Sequence, residues 1–254
     1  MAGEKEILSI RDLSKHFGGV RAVDGVSLKI FEGDRISIIG PNGAGKTTLI
    51  NLISGYLRPT RGSIIYYGRD ITALNPIDRI NIGIVRSFQL VNLFNNLTVF
   101  ENILIPILSR RRAISRFISI AYKDREAMDE AEETLRIFGL SDKADRYPTD
   151  LSQGDRKLLD IALTFALKPR LIMLDEPTSG VSTRDKHLIM EKIVEILQRA
   201  GITSMIIEHD MDIVFKYSQR IIVMHQGRVI ADGKPDEIRF RDDIKSLLIG
   251  GIYA

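Results

Sequence analysis

The chain has 254 residues, 44% hydrophobic and 27% charged, with a formal net charge of +3. Those values suit one large α/β domain or two intimate ones with an ample core, and the mild positive charge does not by itself point to nucleic acid. The absence of cysteine excludes disulfides and thiolate metal sites; no apolar run could span a bilayer, and residues 1–6 carry acidic charge without the apolar stretch of a secretory signal. A cytosolic protein is expected, brought to a membrane only by a docked partner.

Residues 7–17 alternate roughly apolar and polar, as a half-buried strand does, and Gly18-Gly19 turns the chain. Phe17, beside that turn, is read two ways: an aromatic placed to stack on a flat ring, or an ordinary core residue. Residues 26–30 alternate again, so an antiparallel β-piece leads into the apolar run 36–39, a buried central strand. Gly40-Pro41-Asn42-Gly43-Ala44-Gly45-Lys46-Thr47-Thr48 follows, and 49–53 begin a helix. Strand, glycine-rich loop, Gly-Lys-Thr and helix make a P-loop. Its amides and the positive helix end form a socket for phosphate oxygens, with Lys46 reaching the terminal phosphates and the Thr47 hydroxyl placed for magnesium.

Beyond the P-loop helix, 63–67 read as a short strand, 76–81 as a short helix begun by proline, and 84–88 as a strand ending at Gln89. Residues 98–108 are apolar at helical spacing, with Asn102 and Pro106 interrupting. Arg110-Arg111-Arg112 follows, either a solvated helix end or a contact for lipid headgroups or a partner. An amphipathic segment over 121–138 stops at Gly139. Residues 89–151 thus look like an all-helical insertion. Ser152 and Asp155 have capping-box spacing at the start of a helix over 152–167. Then come a buried strand 171–174 ending in Asp175-Glu176-Pro177, a helix 183–199, a strand 203–207 ending in Glu208-His209-Asp210, two strands at 220–225 and 228–231, and short helices from Pro235.

A phosphate socket needs a metal carboxylate and a means of activating water. Asp175 ends a strand expected to lie beside the P-loop strand, where a carboxylate can hold magnesium. Glu176, next along, can polarise an attacking water. His209 ends another apolar strand and is expected at the same sheet edge, where ligands of open α/β sheets sit. It could hydrogen-bond the γ-phosphate and hold Glu176, or serve structure alone. Gln89 ends a strand too, and its amide could reach metal or water. Ser152-Gln153-Gly154 is read either as a second anion-binding helix tip or as a helix cap alone, and the two can hold together.

In this order, from Phe17 to about Ile238, the motifs resemble an ATP-binding-cassette (ABC) ATPase: P-loop, Gln89, the signature 151–155, Asp175-Glu176, then His209. The stretches 15–20, 83–89, 97–102 and 207–210 are similar to the ATPases of branched-chain, or hydrophobic, amino-acid importers. The resemblance implies a single ABC ATPase domain over 1–254: a P-loop NTPase (RecA-like) core with an N-terminal antiparallel β-subdomain over 1–89 and 152–254, and an α-helical signature subdomain over 90–151. It implies a head-to-tail dimer holding ATP and magnesium, with permease subunits docked in a groove of the helical part and a solute-binding protein acting indirectly. The nucleotide set is then Phe17, Val23, residues Gly40 through Thr48, and Ser152, Gln153 and Gly154 of the neighbour. The metal set is Thr47, Gln89 and Asp175, and the catalytic set Glu176, His209 and Gln89. The family signature usually reads Leu-Ser-Gly-Gly-Gln; here it is Leu-Ser-Gln-Gly-Asp, and Ser182 stands where the family usually has aspartate. An exporter or lipid-extraction ATPase and a soluble non-transport ABC protein are the alternatives. A P-loop GTPase would need an Asn-Lys-x-Asp motif, which the sequence lacks.

Overall fold

The computed structural model describes residues 5–87, 93–111 and 124–250. β1 (Glu6–Phe17) and β2 (Val20–Phe31) form an antiparallel hairpin turned by Gly18-Gly19. β2 starts earlier than its alternation suggests, because it stays paired with β1 as far as Val20 opposite Phe17. β3 (Arg35–Ile39) enters the P-loop, and α1 (Lys46–Ser54) leaves it. β4 (Arg61–Tyr66) and β5 (Arg69–Asp70) then return to the hairpin, giving a four-stranded antiparallel sheet ordered β2-β1-β4-β5. β5 is only two residues long, too short to leave a periodic signal.

The remaining helices and strands are α2 (Pro76–Asn81), β6 (Ile84–Arg86), α3 (Val99–Arg110), α4 (Arg125–Phe138), α5 (Gln153–Ala166), β7 (Leu171–Asp175), α6 (Thr183–Arg199), β8 (Thr203–Ile207), α7 (Met211–Tyr217), β9 (Arg220–His225), β10 (Arg228–Gly233), α8 (Pro235–Arg239) and α9 (Asp242–Gly250). The second sheet is ordered β10-β9-β3-β8-β7-β6, parallel throughout except for the β9-β10 hairpin. The strand order departs from the expected one at β7. β7 does not lie beside β3; β8 runs between them, pairing Ile38 on one side and Asp175 on the other with Ile207. Every residue of β7 and of β8 is buried. Two such apolar strands both qualify for the middle of a parallel sheet, and composition does not rank them.

Alternation along these strands divides the interior. Leu171, Met173, Met205 and Ile207 face the β-hairpin sheet and α1, whereas Ile172, Leu174 and Ile206 face the helices. On that second side α3, α4, α5 and α6 share one continuous apolar cluster with the sheet. α3 runs through Pro106 to Arg110 instead of breaking there. A complete Thr98–Glu101 capping box starts it, and burial of Val99, Ile103, Leu104 and Ile107 holds it against the cost of the missing proline amide. Asn102, the other expected interruption, is fully buried and donates to the carbonyls of Phe94, Leu97 and Thr98. Arg110 is bonded to Glu130 and Arg111 to Glu126, so both arginines tie α3 to α4; Arg112 lies outside the described residues. No described helix is long and apolar enough to cross a membrane.

Candidate functional site at the carboxyl edge of the central sheet

The P-loop is shaped by glycines that nothing else could replace. Gly40 has φ 149°, and a Cβ there would stand 2.1 Å from the Met224 carbonyl oxygen. Gly45 has φ 100°, and a Cβ would stand 2.2 Å from the Ala22 oxygen. Both the left-handed backbone and the close approach of a neighbouring strand require glycine. Lys46 opens α1 and is buried, its Nζ donating to the carbonyls of Gly40 (2.6 Å) and Pro41 (3.0 Å). Burial draws this ammonium below the ordinary lysine range, against the opposing pull of Glu176 and Asp175. The far end of α1 is anchored by Arg79, which is completely buried and donates to the carbonyls of Leu52 and Ile53 at the helix end and of Ile71 across the turn. Burial pulls Arg79 down to about 10. Nothing local in the sequence marks this arginine, because its five carbonyl partners come from two other segments.

The strand ends converge on this loop. Asp175 is buried, its Oδ2 accepting from Arg86 Nη2 at 2.7 Å. Arg86, at the end of β6, also reaches the Asn51 side chain on α1. Glu176 follows with φ 50°, a left-handed backbone unusual for a residue with a side chain and typical of functional turns. That turn is held by Glu176 N–H donating to Ile207 O and by Lys157 Nζ donating to Glu176 O. His209 Nε2 stands 3.1 Å from Glu176 Oε1. Glu208, beside it, is buried and accepts from the amide and hydroxyl of Thr178 and from the His209 amide, fixing the chain on both sides of the pair.

Glu176 and His209, with Phe17, Arg21, Ala22, Asn42 to Thr48 and Gln226, line a cavity of about 790 Å³; Asp175 is buried and does not line it. Of the two readings of Phe17, the buried one is excluded: the ring is 48% exposed at the cavity rim, with Lys15 Nζ 5.1 Å from its centroid. Val23 is fully buried in the core beneath the loop, and its neighbour Ala22 is the residue that lines the cavity. Alternation along β2 accounts for the difference. Gln89 lies outside the described residues. The Thr47 hydroxyl lines the cavity and has no hydrogen-bond partner among the described residues, whereas the Asp175 carboxylate is buried and paired with Arg86. Among the described residues no group of three or more His, Cys, Asp or Glu could cage a metal. One carboxylate, one hydroxyl and substrate phosphates fit magnesium, which binds in that way.

The signature is elsewhere. Ser152 and Gln153 are exposed at the start of α5, and neither they nor Gly154 line the P-loop cavity. Ser152 Oγ accepts from the Asp155 amide (3.1 Å) and donates to Asp155 Oδ2 (2.7 Å). Ser182 caps α6 by the same device, with Asp185 at 3.2 Å and 2.6 Å. Serine and aspartate are equally good caps, so the departure at Ser182 leaves the local fold intact. Lys157, one helical turn into α5, bonds Ser179 Oγ at 3.0 Å and so ties the signature helix to the loop after Glu176. Sequence reasoning missed Lys157, Arg86, Arg79 and Glu208, all of which act across sequence separations.

A largely parallel sheet with a P-loop on β3 and carboxylates at the ends of other strands of that sheet defines a P-loop nucleoside-triphosphate-binding protein. Comparison narrows the class: the ABC transporter family matches residues 23–179. The chain is 36% identical over 253 residues to the high-affinity branched-chain amino acid transport ATP-binding protein BraF of Pseudomonas aeruginosa, covering 97% of this chain and 98% of that one. It is similar to a solved ATP-binding cassette of an ABC transporter in its ADP conformation, with TM-score 0.85 and 34% identity, over 96% of this chain and 99% of the other. A dimeric cassette in a post-hydrolysis state bound to ADP and Pi superposes with TM-score 0.76 and 27% identity, over 90% and 99%. The chain belongs to the ABC transporter family, as its ATP-binding cassette subunit.

Proposed function

We propose that this chain binds and hydrolyses ATP to drive uptake of a branched-chain or other hydrophobic amino acid, as a peripheral subunit on the cytoplasmic face of the membrane. Phe17 stacks on the adenine, the P-loop amides and Lys46 hold the phosphates, and Ser152 and Gly154 of a second cassette complete the γ-phosphate site. That second cassette is a copy of this chain or a related one. Lys46 exchanges its two carbonyl partners for phosphate oxygens. Thr47 and Asp175 are the residues that would hold magnesium, which supplies charge neutralisation of the phosphates; Gln89 is assigned to the same cluster by resemblance. Glu176 takes the proton of the attacking water, and His209 holds it on line. Residues 1–89 and 152–254 act as the catalytic core and 90–151 as the arm that meets the membrane subunits.

The observation that carries this reading is the Glu176–His209 hydrogen bond at the mouth of the cavity that also holds Lys46 and Thr47. A base and its orienting partner are aimed where a terminal phosphate would lie. Support for permease docking comes from a second, mostly apolar groove of about 220 Å³ between α3, α5 and the core, lined by Tyr56, Ile80, Phe94, Ile105, Pro106 and Leu163 among others. Tyr56 and Phe94 are largely exposed at its rim, as expected of a face another protein covers. The solute assignment rests on the names of the relatives. Its test is ATP hydrolysis by the chain co-purified with its permeases: a binding protein loaded with a branched-chain amino acid accelerates turnover. Equal rates with loaded and empty binding protein would remove the solute assignment.

A further inference from the structure

The signature of this chain carries an acid where its family usually carries glutamine. A carboxylate at the tip of α5 creates two problems if that tip must meet a triphosphate. It repels the phosphates, and it competes for the single proton of the Ser152 hydroxyl, which it already holds at 2.7 Å. The structure contains a specific answer to both. Lys143, in the 3-10 turn Ser141–Lys143 that ends the α4 connection, places its Nζ 2.8 Å from Asp155 Oδ1. The pair is sheltered, with side chains 23% and 20% exposed, so solvent screens it less than a surface ion pair. A second cation, Lys192 of α6, acts electrostatically on the same carboxylate; its ammonium lies over Gly139 so closely that a Cβ there would stand 2.5 Å from it. Burial lowers Lys192, and the repulsion of Lys143 lowers it further, while Asp155 opposes both. For Asp155 itself burial acts to raise the carboxyl, but the hydrogen bonds from Lys143 and Ser152 outweigh it and hold the group below its ordinary range.

We infer that Lys143 and Lys192 are the counter-charge that lets an aspartate stand at position 155, and that the Lys143–Asp155 pair positions the Ser152 hydroxyl for the triphosphate of the neighbouring cassette. This rests on the ATP-sandwich reading above. With both lysines charged, the cluster carries a net charge of +1 where a bare aspartate would carry −1. Lys143 also draws charge from the carboxylate, weakening its hold on the serine proton so that a phosphate oxygen can take that hydrogen bond. The three charged residues come from three separate elements, and none of the pairings is visible in the signature motif alone.

The test uses the assembled transporter and reads the KM for ATP separately from kcat. Lys143→Met raises the ATP KM about ten-fold, as an uncompensated charge several ångströms from a triphosphate should, while ATP binding by the isolated chain, which reports its own P-loop, is unchanged. Lys143→Arg keeps the wild-type KM, and Asp155→Gln added to Lys143→Met restores it. A role confined to stability would not move the KM measured well below the melting temperature. Should Lys143→Met fail to fold, Asp155→Gln alone serves: it works at equal or lower ATP, and a higher ATP requirement would overturn the inference. An unchanged KM in folded Lys143→Met, or no recovery in the double variant, overturns it as well. Ser152→Ala separates the two levels. If it raises the KM while Lys143→Met does not, only this inference fails; if Ser152→Ala leaves the KM unchanged, the sandwich reading fails and the inference with it.

Discussion

The P-loop and the signature tip are both helix starts read as phosphate sites, yet they are built differently. At the P-loop the backbone does the work. Two glycines leave no room for a side chain against neighbouring carbonyl oxygens, Lys46 is buried on its own loop, and strand ends deliver Glu176 and His209 to the same cavity. At the tip the backbone is ordinary, the cap is a serine with an aspartate, and a lysine from another element pairs with that aspartate. On the proposed function, one region is nearly whole within a chain and the other is half of a site. The lesson is that two similar helix dipoles can have very different tolerances to substitution, set by whether backbone or side chains shape the socket.

Substitutions can break or sharpen that contrast. The largest effect is expected for Glu176→Gln, which lowers kcat by about 10²–10⁴ while ATP affinity, measured by equilibrium titration, is retained. Near-normal turnover would remove Glu176 from its role. Lys46→Ala is expected to weaken ATP binding by about 100-fold, the loss of a charge-assisted contact in a buried socket, and the same titration measures it. At the tip, Ser152→Ala should raise the ATP KM of the assembled transporter by about ten-fold, one lost hydrogen bond to a charged group, without changing ATP binding by the isolated chain. That asymmetry is what separates a half-site from a whole one. Phe17→Ala should cost about three- to ten-fold in ATP affinity, in keeping with an aromatic stack, and Phe17→Tyr should recover most of it.

A last prediction concerns the helix that bears the tip. Asp160 of α5 lies in the apolar groove, and burial pushes its carboxyl from 3.8 up to about 7, with Lys157 opposing. A carboxyl raised on folding favours the folded state while protonated, so its contribution is present below the unfolded value and is lost as pH rises through about 7. Raising the pH from about 5 to about 8 should therefore destabilise the wild type more than Asp160→Asn, by about 2–3 kcal/mol, since only the part of the shift above pH 5 is sampled. Parallel stability curves for the two proteins would contradict the burial of this group.

Much of this was legible in the sequence because it is local. The helix over 183–199, the strand over 203–207 and the glycine loop have the periods and punctuation of their elements, and the structure keeps those bounds. The expectation that His209 and Glu176 share a sheet edge holds, since both follow apolar strands of one parallel sheet. What was not legible is long-range. The insertion of β8 between β3 and β7 is a choice between two equally apolar strands. Arg79, Arg86, Lys143 and Glu208 find their partners across the fold, and an isolated charge in a sequence carries no sign of whom it will meet. Val23 and Ala22 differ only in which side of a strand they occupy.

The central claim is that one chain's P-loop and another's signature enclose a single ATP. Its most direct test is a structure of the Glu176→Gln protein, assembled with its permeases, trapped with magnesium and ATP. A shared ATP would be held by Lys46 and Thr47 of one cassette, with Ser152 and Gly154 of the facing cassette on its γ-phosphate. A nucleotide bound by one cassette alone, with every Ser152 left in solvent, would contradict it.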